Sequence, residues 1–137
     1  MPKATPYLFF HGNCEEALTA YARIFDSPPP TIMRGADAPD SANMPAGSDK
    51  LVMHADLKVG SGSIFASDDF SGDTPAMAGC NVHVGFASFD KAKAAFEKLA
   101  KGGEVRMPFA PTFWSPGFGA LSDRFGTRWM IDVNPQT

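Results

Sequence analysis

One run of elements, a strand, a helix and three further strands, can be read twice along this chain, and that doubling constrains its fold more than any other feature. Tyr7-Leu8-Phe9-Phe10 is a short apolar, aromatic run that suits a strand, and His11-Gly12-Asn13 breaks it. Asn13 is an N-cap candidate, with Glu15 and Glu16 in the first turn that favours acidic residues. Ala17, Leu18, Tyr21, Ile24 and Phe25 then recur at three- and four-residue spacing, which predicts one apolar helix face. Pro28-Pro29-Pro30 ends the helix, because proline cannot continue its hydrogen-bond ladder. Residues 31–34, 51–59 and 63–67 read as three strands, the last two joined through Gly60-Ser61-Gly62.

Residues 69–79 are polar and contain Gly and Pro, and they serve as a joint after which the order begins again. Residues 81–86 alternate as a strand, and Ser88 or Asp90 caps a helix that turns Ala92, Ala95, Phe96 and Leu99 inward. Gly102-Gly103 supplies a left-handed stop, and residues 104–108, 118–122 and 128–133 read as three more strands. The expectation is an α+β fold: two tandem β-α-β-β-β modules, about 1–72 and about 76–137, forming one domain over 1–137. One module alone buries little. Two together are expected to make a curved mixed sheet with helices outside and a concave cavity, the kind of surface on which small ligands bind. Residues 35–49 are rich in Gly, Ala, Pro, Asp and Ser and read as a long loop, with a lid, a dimer contact or disorder as alternatives.

Strand parity separates packing faces from open ones. In 51–59, Met53, Ala55, Leu57 and Val59 are apolar and suit a helix-covered face, whereas Val52, His54, Asp56 and Lys58 oppose them. Val82, Val84 and Phe86 are apolar, with Asn81 and His83 on the other face. Trp129, Ile131 and Val133 are apolar, and Arg128, Met130 and Asp132 oppose them. His54 and His83 thus hold corresponding polar-face positions in the two modules, as ligand-binding groups, acid/base residues or metal ligands, or simply as hydrogen-bonded neighbours of a carboxylate. His11 beside a turn glycine reads as a surface loop residue.

Asp68-Asp69 closes a strand, where a carboxylate either enters the cavity or caps the turn. Asp123-Arg124-Phe125-Gly126 reads as a tight structural turn, with Gly126 at positive φ. In Thr112-Phe113-Trp114-Ser115-Pro116-Gly117-Phe118-Gly119, the rings of Phe113 and Trp114 either cover a pocket mouth or pack on the core or a partner subunit.

The net charge of −3 and the absence of a Lys/Arg stripe argue against nucleic acid as a partner. No apolar run reaches the roughly 18 residues that a membrane-crossing helix needs, and the run near the start is too short for a signal peptide. The expectation is a cytoplasmic protein with no membrane partner. Cys14 and Cys80 lack CxxC spacing and read as free thiols, with a reactive Cys14 at a helix N-terminus as the alternative.

In combination and in this order, several motifs resemble the PhnB-like members of the vicinal-oxygen-chelate superfamily, which includes glyoxalases, bleomycin-resistance proteins and dioxygenases. They are Pro6-Tyr7-Leu8-Phe9-Phe10, Gly12-Asn13-Cys14, Ala17 and Tyr21, then Met53-His54-Ala55-Asp56, Ser67-Asp68, Phe96, Leu99 and Gly102-Gly103. Thr112-Phe113-Trp114, Phe118-Gly119, Asp123-Arg124-Phe125-Gly126 and Trp129-Met130 complete the set, which spans nearly the whole chain. The resemblance implies paired modules, a homodimer and a cavity in each half-barrel. Some members carry a demethylubiquinone methyltransferase label, yet this chain has no Gly-rich nucleotide-binding turn after its first strand.

Metal-using relatives hold a divalent ion with His, Gln or Glu from inner strands of both modules. The resemblance places the last-strand ligand at Met130 and the first-strand ligand at Pro6 or Leu8, none of which suits a hard or borderline metal. His83 falls at or one residue from the second module's ligand position, and Asp68 a little beyond the first module's. No metal and no cofactor are therefore expected, unless His54, Asp68 and His83 build a different site.

The expected function is binding of a small apolar or aromatic molecule near His54, Asp68, His83, Phe113, Trp114, Trp129 and Met130, with Trp129 placed by parity in the core. The alternatives are a metal-dependent or acid/base lyase, isomerase or dioxygenase-type enzyme, using His83 with Asp68, and a structural or regulatory dimer.

Overall fold

The computed structural model describes residues 1–39 and 46–134. Strands β1 (Tyr7–Phe10), β2 (Thr31–Arg34), β3 (Val52–Val59) and β4 (Gly62–Asp68) surround helix α1 (Cys14–Ile24) in sequence. Strands β5 (Val82–Phe86), β6 (Glu104–Ala110), β7 (Phe118–Ser122) and β8 (Arg128–Val133) do the same for helix α2 (Phe89–Ala100). The chain divides into two compact units, Met1–Pro75 and Ala76–Thr137. The doubled order is therefore real.

Both units have one topology. The first sheet runs β1-β4-β3-β2 and the second β5-β8-β7-β6, and in each the first and last strands of the unit pair in parallel while the other neighbours are antiparallel. The parallel pairing follows from the helical crossover, which returns the chain to the end where it started.

In the first unit Ala17, Leu18 and Tyr21 of α1 are buried with Leu8, Phe10, Ala55, Leu57, Ile64 and Ala66 of the sheet. The 53-55-57-59 face of β3 is thus helix-covered at its two central residues. In the second, Ala92, Ala95, Phe96 and Leu99 of α2 are buried with Val82, Leu121, Trp129, Ile131 and Val133. Gly119 is required there, because a Cβ would stand 2.6 Å from the Phe96 ring where α2 presses on β7.

Capping differs between the helices. Ser88 accepts the Lys91 N–H at 3.2 Å, as its residue type favours. Asn13 is the N-cap of α1, but its side chain makes no capping bond. That role is taken by Asp68, from across the sheet.

The segment read as a long loop is stapled at its flanks. A single 3-10 turn, Gly35–Asp37, follows β2, and Gly35 N and Ala36 N donate to Leu51 O at 2.9 Å and Asp49 O at 3.1 Å. The middle of that segment, and with it the lid, dimer and disorder alternatives, falls on 40–45, outside the described residues. In the joint, the Asp69 carboxylate accepts from Ser71 Oγ at 2.7 Å and from the Thr74 N–H at 2.6 Å, which holds its pKa below the ordinary carboxylate range. No helix among the described residues is long and apolar enough to cross a membrane.

Candidate functional site

The face of the first sheet opposite α1 carries an aromatic group. Tyr7 of β1 stands beside Phe65 of β4, and Phe9 beside Ser67, so parity puts all four side chains on the face away from Leu8 and Phe10. His54 of β3 joins them, its neighbour Ala55 being paired to Ala66 on the opposite face. Tyr7 Oη and His54 Nδ1 lie 3.0 Å apart. The His54 and Phe65 rings meet edge to face at 5.1 Å and those of Tyr7 and Phe65 at 6.2 Å, while the Tyr7 and Phe9 rings are tilted at 5.5 Å. Despite this clustering Tyr7 remains 44% and Phe9 53% exposed. Water-facing rings at sheet positions are costly to leave uncovered, so the face is chemically suited to take a flat apolar partner.

Along the same face, Lys58 Nζ pairs with Asp56 Oδ2 at 3.3 Å and bonds Ser63 Oγ at 3.2 Å. Asp56 Oδ1 is buried with no hydrogen-bond partner among the described residues. Sequence reading singled out His54 here but not Tyr7, Phe9 or Phe65. The signal was present in the Tyr7/Phe9 alternation of β1, which puts two rings on the face opposite Leu8 and Phe10.

Asp68 takes no part in this face. It is buried at the start of α1, where Oδ1 accepts the N–H groups of Gly12 at 2.9 Å and Cys14 at 3.0 Å, and Oδ2 that of Val52 at 2.8 Å. The expectation that Asp68 either enters a cavity or caps a turn resolves to a backbone clamp. It also lies on the opposite side of the first sheet from His54.

On the open face of the second sheet, His83 of β5 stands opposite Met130 of β8, and Met130 opposite Ala120 of β7. His83 Nε2 lies 3.1 Å from Asp132 Oδ2, while Asp132 Oδ1 is buried without a partner among the described residues. Within its own unit the carboxylate beside His83 is Asp132, whereas Asp68, which the acid/base alternative paired with His83, belongs to the first unit. Counting along strands, without their pairing, hid this: Asp132 sits two residues beyond Met130 on the same face.

The registers also correct the correspondence of the two histidines. Asp69 N bonds Phe10 O, and Asn134 N bonds Phe86 O, which aligns Phe10 with Phe86 and hence Tyr7 with His83. Ala55 pairs Ala66 as Gly119 pairs Ile131, so His54 corresponds to Phe118. The histidines occupy different strands of the repeat.

Trp129 is fully buried on the α2 side and donates from Nε1 to Asp123 Oδ2 at 2.8 Å, so it is core, as parity indicated. Asp123 Oδ1 accepts Phe125 N at 2.8 Å and Thr127 N at 3.0 Å around Gly126, whose φ is +93°; this is the structural turn read from sequence. Phe113 is 97% exposed and meets Trp114 edge to face at 4.8 Å, and Trp114 leans on Phe118 at 5.3 Å. Phe118 stands opposite Asp132, so the Phe113–Trp114 loop adjoins one end of the second open face.

Cys14 is buried, and its thiol is pushed up to about 12 by burial, then by the charges of Asp68 and Glu15. The reactive-thiolate alternative is thereby reversed: burial first, and then the carboxylate that clamps the helix start, outweigh the favourable N-terminal position. Among the described residues no group of three or more His, Cys, Asp and Glu gathers as a metal would require.

Residues 2–132 match the family described as 3-demethylubiquinone-9 3-methyltransferase. The chain is 31% identical to Protein YjdN of Escherichia coli K12, over 96% of this chain and 95% of that one. Among solved structures it resembles protein PA1353 from Pseudomonas aeruginosa, at 35% identity and a TM-score of 0.87 over 98% of each chain. It also resembles the PhnB protein from Bacillus cereus, at 25% identity and a TM-score of 0.77 over 97% and 100% of the two chains. Domains of the glyoxalase/bleomycin resistance/dioxygenase superfamily share the fold at TM-scores of 0.66 and 0.57, with 16% and 13% identity.

Proposed function

This chain belongs to the PhnB-like family described as 3-demethylubiquinone-9 3-methyltransferase, with a glyoxalase-like α+β fold of two modules, and we propose that it binds a small apolar or aromatic molecule without a metal. The observation that carries the proposal is the Tyr7–Phe9–His54–Phe65 group, whose rings lie within 6.2 Å of a neighbour while Tyr7 and Phe9 stay exposed. A planar ligand laid on that face covers the rings, and the Tyr7–His54 hydrogen bond offers a polar group at its edge. The two units act in this reading as one domain. The methyltransferase of the family's description is no part of it, because a single glycine, Gly12, follows β1 where a nucleotide cofactor calls for a glycine-rich turn.

The metal of superfamily relatives does not fit the donors at hand. Met130 offers only a thioether, and among the described residues no group of three or more His, Cys, Asp and Glu gathers. No chemical step is derived through such an ion. The same proposal takes the protein as a cytosolic homodimer. An exposed free Cys80 suits a reducing compartment, and light scattering is expected to give twice the chain's mass, a single-chain mass contradicting the dimer.

The test of binding is a fluorescence titration with N-phenyl-1-naphthylamine, a neutral apolar probe. A saturable rise is expected, weakened at least about fivefold in Phe9→Ser, whose exposed ring can be removed without opening the core. Equal binding by both proteins contradicts the proposal.

A second reading, acid/base catalysis, is favoured by the His83–Asp132 pair alone. A carboxylate that orients an imidazole is a recurring device for proton transfer. Any turnover found must then be lost in both His83→Gln and Asp132→Asn.

A further inference from the structure

One end of the second open face is basic and lacks a counter-charge in contact. Asn81 precedes β5, Arg128 opens β8, Ser122 of β7 stands opposite Arg128, and Glu104 of β6 opposite Ser122. Arg106 of β6 reaches over this row. Its Nη2 donates to Asn81 Oδ1 at 2.7 Å and to Leu121 O at 2.9 Å, and its Nε to Ser122 Oγ at 3.4 Å. Arg128 donates from Nε to Cys80 O at 3.0 Å. Every one of these acceptors is neutral, and neither guanidinium forms an ion pair with a carboxylate among the described residues.

The two cations also feel one another. Burial is the first cause that lowers the proton affinity of Arg106, the charge of Arg128 the second, and the opposing pull of Glu104 is the smallest of the three. Like charges fixed close together cost free energy, which a bound anion recovers. Fixing them with neutral groups keeps the guanidinium planes in place while leaving their charge unspent.

We propose that Arg106 and Arg128 form an oxyanion-binding site on the second unit, taking the carboxylate or phosphate head of a small molecule, with Asn81 and Ser122 as positioning residues for Arg106. Arg128 keeps both Nη groups for the ligand, a fork that matches a carboxylate or phosphate with two parallel bonds, and Arg106 keeps its Nη1 as a further single donor. A body attached to that head runs along β8 from Arg128 to Met130, two residues away on the same face and opposite His83. The site is built from residues of the second unit alone.

The test compares phenyl phosphate and benzoate with benzyl alcohol, each titrated into the full-length protein by calorimetry. At least one of the two anions is expected to bind at least about tenfold more tightly than the alcohol, with affinity falling as salt is raised. Which anion binds better assigns the head group. Arg128→Gln is expected to abolish the preference. It keeps the strand and leaves Arg106's own contacts in place, so folding is not at stake; Arg106→Gln is the second variant. Anions bound no better than the alcohol, or equally by wild type and Arg128→Gln, overturn the proposal. Binding of N-phenyl-1-naphthylamine stays unchanged in Arg128→Gln, so this site and the aromatic face fail or succeed separately.

Discussion

Asp68 Oδ1 accepts the Cys14 backbone N–H at 3.0 Å, so the last residue of β4 fixes the first residue of α1, fifty-four positions earlier in the chain. The same carboxylate also receives Gly12 N and Val52 N, tying the β1–α1 turn and the start of β3 to one buried group. Asp68→Ala leaves those three donors without their acceptor, and each buried unsatisfied group costs about 1–3 kcal/mol. We expect Asp68→Ala to lower unfolding free energy by on the order of 3 kcal/mol, read from a urea midpoint at constant slope. A change below about 1 kcal/mol means the clamp is not structural.

The buried thiol beside that clamp makes stability depend on pH. The folded pKa of Cys14 is about 12 against an ordinary 9.0, so the folded state retains a proton that the unfolded chain gives up. The contribution is fully present below pH 9 and is lost as pH climbs through the folded value. From pH 9 to pH 10 this loss comes to roughly 1 kcal/mol. Urea unfolding at both pH values is expected to show this extra loss in wild type and not in Cys14→Ala. Native-state alkylation should likewise mark the exposed Cys80 alone, with Cys14 reacting only in denaturant.

The two tryptophans differ in their surroundings and so in their emission. Trp114 is 54% exposed, whereas Trp129 is wholly buried with its Nε1–H on Asp123. Iodide should quench wild-type fluorescence in part and Trp114→Phe hardly at all. Trp129→Phe should keep the quenchable component and lose about 1–3 kcal/mol of stability, because Asp123 Oδ2 loses its donor. Quenching that survives in Trp114→Phe contradicts the placement of that ring.

The fold could be read from the chain because both signals that specify it are local. The three- and four-residue spacing of Ala17, Leu18 and Tyr21, and the alternation of Trp129, Ile131 and Val133, depend on near neighbours only. The faces that His54, His83 and Met130 occupy were legible because they follow from alternation. What depended on which strands pair was not legible. The β1–β4 register alone brings Tyr7 to Phe65, and the β5–β8 register brings Asp132 to His83's face. Asp68 and Asp132 look alike in sequence, each near the end of a strand. Pairing sends one to the helix start and the other to an open face. Arg106 went unnoticed for the same reason, since its partners Asn81, Leu121 and Ser122 lie on or beside two other strands.

The claim that a small aromatic molecule binds the first unit's open face is tested most directly by two-dimensional amide NMR with 1-naphthol. Saturable shifts are expected in Tyr7–Phe10, Val52–Val59 and Gly62–Asp68, the strands that carry Tyr7, Phe9, His54 and Phe65. Shifts confined to the Phe113–Trp114 loop, or none that saturate, contradict it.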